Sequence, residues 1–484
     1  MKLFYMVLYA IILGARATPN FLIILTDDLG YGDIDHPGVD TPHLRTLRDA
    51  SLEFTQAYSA DSVCTPSRAA FLTGRYPVRS GMANDFYRTL YGPGQSAGLP
   101  RWTVKFPQLL KHVGYSTALV GKWHLGINSV DREDGYYLPH HSGFDHYYGL
   151  PMGNTYMCEP GNQDPTGCFL YNNLTIVEQP IITETIAERL LSRTLDHLTE
   201  LPQPFLLQYW TIHTHTPLFP VKQNRSRRGL YGDALMELDD QIGEIMAVLP
   251  PNTYVIFTSD NGPYAEEFPH NGSPGPFKGS KGQVYEGGIR VPFYIYHPDV
   301  PPRRVHDVIS LMDVFPTLLE LANITHHSHA TSTPLDGASL VPFLTDEYIV
   351  HDRFIVHYCG ETPIAVRYGV YKIFYAEQIW SNSDAQTCPG TIIPVLPYEA
   401  CGCEAQNLRT LYPPKIYNID LDPQEKFPLN AYEHMAIIET ASAHLEEHIA
   451  GVIEVENQLN APLNETLAPC CNYPACFCVE KIKA

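Results

Sequence analysis

Basic residues are in short supply in this sequence: 32 Lys and Arg stand against 53 Asp and Glu, a net charge of −21. Nucleic acids and anionic membranes reward clustered Lys and Arg, so neither is expected as the main partner. Charged residues of both signs make up only 18% against 44% apolar, which excludes disorder and fits a folded globular chain. Apolar runs of the ~20 residues that cross a bilayer are missing. The run from Leu3 to Leu13 follows Lys2 and precedes Ala15-Arg16-Ala17, so residues 1–17 read as a cleaved signal peptide. No integral membrane segment is therefore expected. Internal repeats and CxxC-type zinc spacing are also absent.

What is present starts with length. A chain of 484 residues can build a large core and leaves room for a main domain plus a smaller one. Secretory entry permits disulfides, and eleven cysteines leave one odd thiol that needs a reason. Asn173, Asn224, Asn271, Asn323 and Asn464 each open an Asn-x-Ser/Thr acceptor, which together support the secretory route, lysosomal or extracellular.

Phe21-Leu-Ile-Ile-Leu25 is a continuous apolar run of strand length, the mark of a strand covered on both faces. Asp27 and Asp28 follow it directly. Two carboxylates at the carboxyl end of a buried strand are costly unless a cation or donors meet them, and sites of open α/β sheets lie at such ends. Further apolar strands repeat the arrangement. Tyr115 to Val120 leads into Lys122 and His124, Phe205 to Thr211 into His213 and His215, and Thr253 to Thr258 into Asp260 and Asn261. Residues two apart in an extended segment share a face, so Lys122 with His124 and His213 with His215 are each expected to look into one space. The His-x-His pair alone also admits zinc. Asp27, Asp28, Asp260 and Asn261 are oxygen donors only, which favours Ca2+, or less well Mg2+, over zinc. Lys281 lies in the Gly-rich segment 272–288.

Cys64 sits where Thr65 and Pro66 open a helix that Arg68 to Leu72 continue. A helix mouth offers free N–H groups and positive potential to an anion. Helical spacing predicts further helices over 41–54, 103–113, 181–198, 231–249 and 431–455, with a Gly- and Pro-rich surface stretch over 91–100. From about Val341 the texture turns to tyrosine-rich antiparallel strands at 358–359, 365–375 and 415–420. Cys470, Cys471, Cys476 and Cys478 then form a compact knot with three pairings open.

These motifs together resemble the type I sulfatases, in the look of the lysosomal arylsulfatase A and N-acetylgalactosamine-6-sulfatase branch. The resemblance runs over nearly all of the chain after residue 17. It is carried by Leu25-Thr-Asp-Asp28, Cys64-Thr-Pro-Ser-Arg68 with Leu72-Thr-Gly-Arg75, Gly121-Lys-Trp-His-Leu-Gly126, His213-Thr-His-Thr-Pro217, Thr258-Ser-Asp-Asn-Gly262 and Tyr285-Glu-Gly-Gly-Ile-Arg290, in that order. It implies an alkaline-phosphatase-like α/β fold, a mostly parallel sheet sandwiched by helices, followed by a small C-terminal antiparallel sheet. The expected division is a catalytic domain over 18–345 and a C-terminal α+β domain with a disulfide-rich tail over 346–484.

The resemblance further implies that the formylglycine-generating enzyme converts Cys64 to formylglycine (3-oxoalanine), which accounts for the odd thiol. Hydration would give that carbon two hydroxyls, one to attack sulfur and a second to expel sulfate, a release step that plain serine lacks. By the same resemblance Asp27, Asp28, Asp260, Asn261 and residue 64 hold one Ca2+. Arg68 orients the hydrate, Lys122 and Lys281 hold sulfate oxygens, His124 takes a proton during sulfate release and His215 protonates the leaving alcohol. His213 is expected nearby, and Asn154 stands where relatives carry a hydroxyl. The membrane hairpin of steroid sulfatases has no counterpart between 170 and 220.

The expected substrate is a sulfate ester, whether sulfolipid, glycosaminoglycan or small aryl or steroid sulfate; self-association stays open. Two other readings exist. A phosphatase or phosphodiesterase of the same superfamily would use Ser or Thr and two zinc ions, against Cys64 and the oxygen-only donors. A non-catalytic extracellular protein binding sulfated glycans would not need the complete set of reactive residues.

Overall fold

The computed structural model describes residues 18–86, 88–153, 158, 167–265, 267–324, 334–345, 353–379 and 402–480, so the expected signal peptide and Asn154 lie outside them. Strands of the large sheet are β1 (Asn20–Thr26), β2 (Leu52–Tyr58), β3 (Ser116–Gly121), β4 (His146–Gly149), β5 (Leu170–Asn172), β6 (Thr175–Glu178), β7 (Phe205–Trp210), β8 (Thr253–Ser259), β9 (Arg290–Val291), β10 (Phe293–Tyr296) and β11 (Arg303–Ser310). They lie in the order β11-β2-β10-β8-β1-β7-β3-β4-β5-β6, with β9 against β2. The centre, β8-β1-β7-β3-β4, is parallel, and β10 enters antiparallel to both β8 and β2.

Helices cover both faces, which is why the central strands read as unbroken apolar runs. They are α1 (Pro42–Asp49), α2 (Cys64–Thr73), α3 (Phe106–His112), α4 (Thr183–Glu200), α5 (Gly229–Ala247), α6 (Glu286–Ile289), α7 (Val314–Leu321), α8 (Val341–Leu344) and α9 (Met435–Ala450). Along β1, Phe21, Ile23 and Leu25 pack with Phe71, Phe106 and Phe315 on one face. Leu22 and Ile24 pack with Leu235, Leu238 and Ile242 on the other. Each fully buried Leu or Phe of this kind stabilises by roughly 1.5–3 kcal/mol relative to exposure.

A second sheet, β12 (Phe354–Cys359), β13 (Thr362–Tyr368), β14 (Tyr371–Gln378) and β15 (Leu408–Asn418), is antiparallel throughout in chain order. Ile438, Ala441 and Leu445 of α9 cover it, packed with Val356, Val366 and Ile373. The tail pairs Cys470 with Cys476 and Cys471 with Cys478. Cys158–Cys168 and Cys359–Cys403 are also bonded, and Cys64 is the free cysteine among the described residues.

Four sequence expectations are corrected. The helix expected over 41–54 stops at Asp49, and Leu52 and Phe54 belong to β2, because a short apolar pattern fits both periods until a turn interrupts it. The helices expected over 103–113 and 431–455 shrink to Phe106–His112 and to Met435–Ala450 behind a 3-10 turn at Ala431–His434. Residues 91–100 are largely buried rather than a surface stretch. Gln95 donates to the Leu459 carbonyl at 3.0 Å, and Gly92 leaves no room for a Cβ beside Leu463. The C-terminal segment covers them. Among the described residues no helix is long and apolar enough to cross a membrane.

Candidate active site

Four adjacent strand ends, β8, β1, β7 and β3, deliver the reactive residues to one edge of the sheet. Cys64 comes to them as the first residue of α2, after Val63 in extended conformation. The helix is buried along its whole length. It is pinned at its mouth, where Ser67 Oγ donates to the Asp260 carbonyl at 2.5 Å and Thr65 Oγ1 to the His124 carbonyl at 3.0 Å. It ends at Gly74, whose φ of 65° suits glycine and whose N–H caps the Ala70 carbonyl at 2.8 Å.

The Cys64 Sγ lies 3.5 Å from Asp27 Oδ1, 3.9 Å from Asp28 Oδ1 and 3.5 Å from Lys122 Nζ. Lys122 also pairs with Asp27 Oδ2. Lys281 Nζ is 2.6 Å from Asp28 Oδ2 and donates to His215 Nε2 at 3.1 Å. Arg68 is fully buried over Trp210, 5.2 Å from the ring centre. It donates from Nε to Asp260 Oδ2 at 2.9 Å and from Nη1 to the Lys122 carbonyl at 2.9 Å. Three carboxylates thus face three cationic side chains in a largely buried space that Lys281 and His215 border at 13% and 12% exposure.

The electrostatics follow from that enclosure. Burial works against the Asp27 carboxylate, but Lys122, His215, Arg68 and Lys281 outweigh it and hold the group far below the usual carboxylate range. Burial, with the Asp27 charge nearby and Arg68 opposing, pushes Asp260 up. Burial and the Asp260 charge push the Cys64 thiol well up. A buried protonated thiol is a poor nucleophile, so cysteine as such does not suit this position as the reacting group. Burial, then the Lys281 and Lys122 charges, hold His215 down to about 4. His215 Nδ1 bonds to the Thr216 carbonyl, which leaves Nε2 as the lone-pair nitrogen facing Lys281.

The donor set could hold a cation. One atom each of Asp27, Asp28, Cys64 and His215 lies within 4.8 Å of the others. Asn261 Nδ2 donates to Asp28 Oδ1 at 2.7 Å, while its Oδ1 is buried with no hydrogen-bond partner. An orphan oxygen on a side chain bonded to Asp28 is what a cation would satisfy. Asp260 is also engaged by protein donors: Arg68 meets Oδ2, and Oδ1 accepts from the Asp28 N–H at 3.3 Å.

His124 has a φ of 58°, so the chain is not extended there, yet its ring stays within electrostatic reach of Lys122 and Asp27. Its Nε2 bonds to the Leu90 carbonyl at 3.0 Å, and its buried Nδ1 has no partner and lies against Gly153. His213 turns away from His215 to Thr211 Oγ1 and, at 2.9 Å, to Glu237 Oε2, so the pair does not converge on zinc. Sequence reading gave no role to Arg88. Its guanidinium reaches Gly282 O at 2.6 Å, Asp61 Oδ1 at 3.1 Å and Ser62 Oγ at 3.0 Å, tying the loop before Cys64 to the Lys281 loop. Nothing in its local sequence marks it. Asn173, Asn224, Asn323 and Asn464 are exposed, whereas Asn271 is half-buried.

Comparison with known proteins bears on this geometry. The family model described as Sulfatase matches residues 19–324, and one described as the C-terminal region of aryl-sulfatase matches 350–478. An arylsulfatase of Hemicentrotus pulcherrimus is 32% identical over 485 residues, covering 95% of this chain and 86% of that protein. The steryl-sulfatase of Rattus norvegicus is 33% identical, with 91% of each covered, and arylsulfatase A of Bos taurus is 34% identical, with 86% and 84% covered. The crystal structure of the PsFucS1 sulfatase from Pseudoalteromonas sp. superposes with a TM-score of 0.75 at 26% identity, covering 93% of both chains. A phosphonate monoester hydrolase of Agrobacterium radiobacter shares the fold at a TM-score of 0.58 and 18% identity, covering 90% of this chain and 95% of that one.

Proposed function

Because the chain belongs to the sulfatase family and is a sulfuric ester hydrolase, we propose that it works through formylglycine made from Cys64 and one Ca2+. The observation that carries the reading is the placement of Cys64, the free cysteine among the described residues, between Asp27 and Lys122 at the mouth of a buried helix. Hydrated formylglycine there would supply two hydroxyls on one carbon, one for attack on sulfur and one for release of sulfate. Asp27, Asp28, Asp260, Asn261 and residue 64 would hold the Ca2+, which when bound polarises a sulfate oxygen and favours ionisation of the nucleophile.

The chain's own groups divide the remaining work. Arg68, held by Asp260 and the Lys122 carbonyl, orients residue 64. Lys122, beside residue 64, and Lys281, beside Asp28, hold sulfate oxygens with their ammonium groups as negative charge develops. His215, which is partly exposed, takes up a solvent proton at Nε2 and delivers it to the leaving alcohol, while the Lys281 ammonium 3.1 Å away keeps its charge. His124 Nδ1 accepts the proton lost during sulfate release, while Leu90 holds its other nitrogen. His213 supports the segment through Glu237 rather than touching substrate.

Division at 18–345 and 346–484 is proposed on the same grounds, since the large sheet falls within the first span and the four-stranded sheet within the second. The disulfides suit the secretory pathway, lysosomal or extracellular, with sugars on the exposed acceptors Asn173, Asn224, Asn323 and Asn464. Mass spectrometry of the peptide holding residue 64, alongside hydrolysis of a chromogenic aryl sulfate, tests the reading. The aldehyde form in active protein is expected. Unmodified cysteine in fully active protein overturns it. A panel of sulfolipid, glycosaminoglycan, steroid and aryl sulfates then identifies the alcohol.

A further inference from the structure

Away from the reactive edge, a second set of charges is buried where the two sheets meet. Glu286, Lys372 and Glu425 have side chains with 0% exposure. Lys372 Nζ, on β14, stands 2.9 Å from Glu286 Oε1 and 2.9 Å from Glu425 Oε1. Glu425 Oε2 accepts the backbone N–H of Glu286 at 2.8 Å. The other Glu286 oxygen accepts from Tyr58 at 2.7 Å and Arg290 at 3.1 Å. Enclosing three charges is costly, and their attraction does little more than offset the desolvation. A merely adhesive contact between sheets is made as well by apolar residues, so the arrangement calls for another reason.

That reason lies in what Glu286 belongs to. It opens α6, five positions after Lys281, in a segment folded tightly on itself. Gly287 N donates to Lys278 O at 2.7 Å, Gly288 N to Tyr285 O at 2.9 Å and Gln283 N to Ser280 O at 3.0 Å. A Cβ on Gly287 would lie 2.2 Å from Gly279 O and one on Gly288 2.0 Å from Gln283 O, so the backbone strands touch directly. Gly288 O also accepts from Gly262 N at 2.9 Å, next to Asn261. A segment this close-packed moves as a piece. A shift at Glu286 is therefore carried to Lys281, whose ammonium must stay beside Asp28 and His215.

We propose that Lys372 and Glu425 are positioning residues: from the second sheet they hold Glu286 by its side chain and its backbone, and through it they set the Lys281 ammonium at the sulfate. The inference rests on the reading of Lys281 given above. It makes the second sheet part of the catalytic apparatus without contributing an atom to it. Misplacement on the ångström scale costs up to about a hundredfold in rate.

A double-mutant cycle on the full-length secreted protein tests this, with kcat and KM on an aryl sulfate, inhibition by inorganic sulfate and thermal midpoints recorded together. Lys372→Met is expected to lower kcat/KM about ten- to a hundredfold and to weaken sulfate inhibition. Glu425→Gln, which keeps an oxygen for the Glu286 N–H, is expected to retain activity within about threefold, while Glu425→Leu loses it as Lys372→Met does. In a Lys281→Ala background the Lys372→Met loss should largely vanish. Losses that multiply in the double variant, or full activity of Lys372→Met, overturn the proposal while leaving the role of Lys281 intact. Full activity of Lys281→Ala instead overturns that role, and the proposal with it. Should Lys372→Met not be secreted, Glu425→Leu completes the same cycle.

Discussion

Two buried clusters of opposite charges stand within one chain, and they differ in access to solvent. Around Cys64, the carboxylates of Asp27, Asp28 and Asp260 meet Arg68, Lys122 and Lys281, and the side chains of Lys281 and His215 keep 13% and 12% exposure. Where the sheets join, Glu286 and Glu425 meet Lys372, and all three side chains have 0% exposure. The same residue types thus make a reaction centre in one place and a clamp in the other. What separates them is whether a substrate can reach the charges, not the density of charge.

That contrast can be broken in four ways. The largest effect belongs to Cys64→Ser, which should fold with an unchanged thermal midpoint yet lose at least about a thousandfold in steady-state kcat. Full turnover of an aryl sulfate by this variant would remove the release step from the mechanism. Next, a calcium chelator should cost about two to three decades of activity and be reversed by Ca2+. It should leave the junction cluster undisturbed, which hydrogen exchange at the Glu286 amide would report. The contrast then sharpens on one short segment. His215→Ala should lower kcat about a hundredfold. His213→Ala, which strands Glu237, should cost about 1 kcal/mol of stability with kcat changed less than about threefold. Equal losses from both would return His213 to the site.

The smallest effect concerns pH. Burial, with Glu286 adding to it and Lys372 opposing, pushes the Glu425 carboxyl up to about 7 from an ordinary 4.5. Between those values the folded chain holds a proton that the unfolded chain has lost, so stability from this group grows as pH falls from 7 toward 4.5. Lys372, Arg290 and Arg367 hold Glu286 low against the cost of burial, so its contribution is lost only as pH falls further, below 4.5. Buried histidines held low, His215 and His197 among them, work in the opposite sense over part of the same range. The Glu425 contribution is therefore read by difference. In Glu425→Gln the thermal midpoint at pH 5 relative to pH 7.5 should be a few degrees lower than in the parent; an unchanged slope would exclude Glu425 as a contributor.

The comparison also marks how far the sequence could be read. The reactive cluster was legible because its members follow apolar strands directly, and a parallel sheet gathers the ends of such strands at one edge. Asp27, Lys122, His215 and Asp260 each carry a local signal. The same logic misled at His213, whose ring is held by Thr211 Oγ1 and Glu237 instead of sharing a space with His215. The junction cluster was illegible. Glu286 lies in a quoted motif, but its partners stand 86 and 139 residues away in the sequence. No periodicity links Lys372 and Glu425 to it. Pairings across the junction of two sheets become visible only once both are placed.

The burial of α2 has a consequence in time. Under the proposed function, an enzyme in the endoplasmic reticulum must read Cys64 to Arg68 and act on the thiol. Every side chain of that helix is enclosed once the chain has folded. The folded protein therefore hides its own substrate for modification, and the window is the interval between emergence of this segment into the lumen and closure of the sheet around it. Activity per molecule becomes a matter of kinetics during biosynthesis. A chain that collapses early is well folded and permanently inert, and no later exposure to the modifying enzyme repairs it without unfolding. Two preparations with the same thermal midpoint can then differ in specific activity by the fraction of chains that closed too soon.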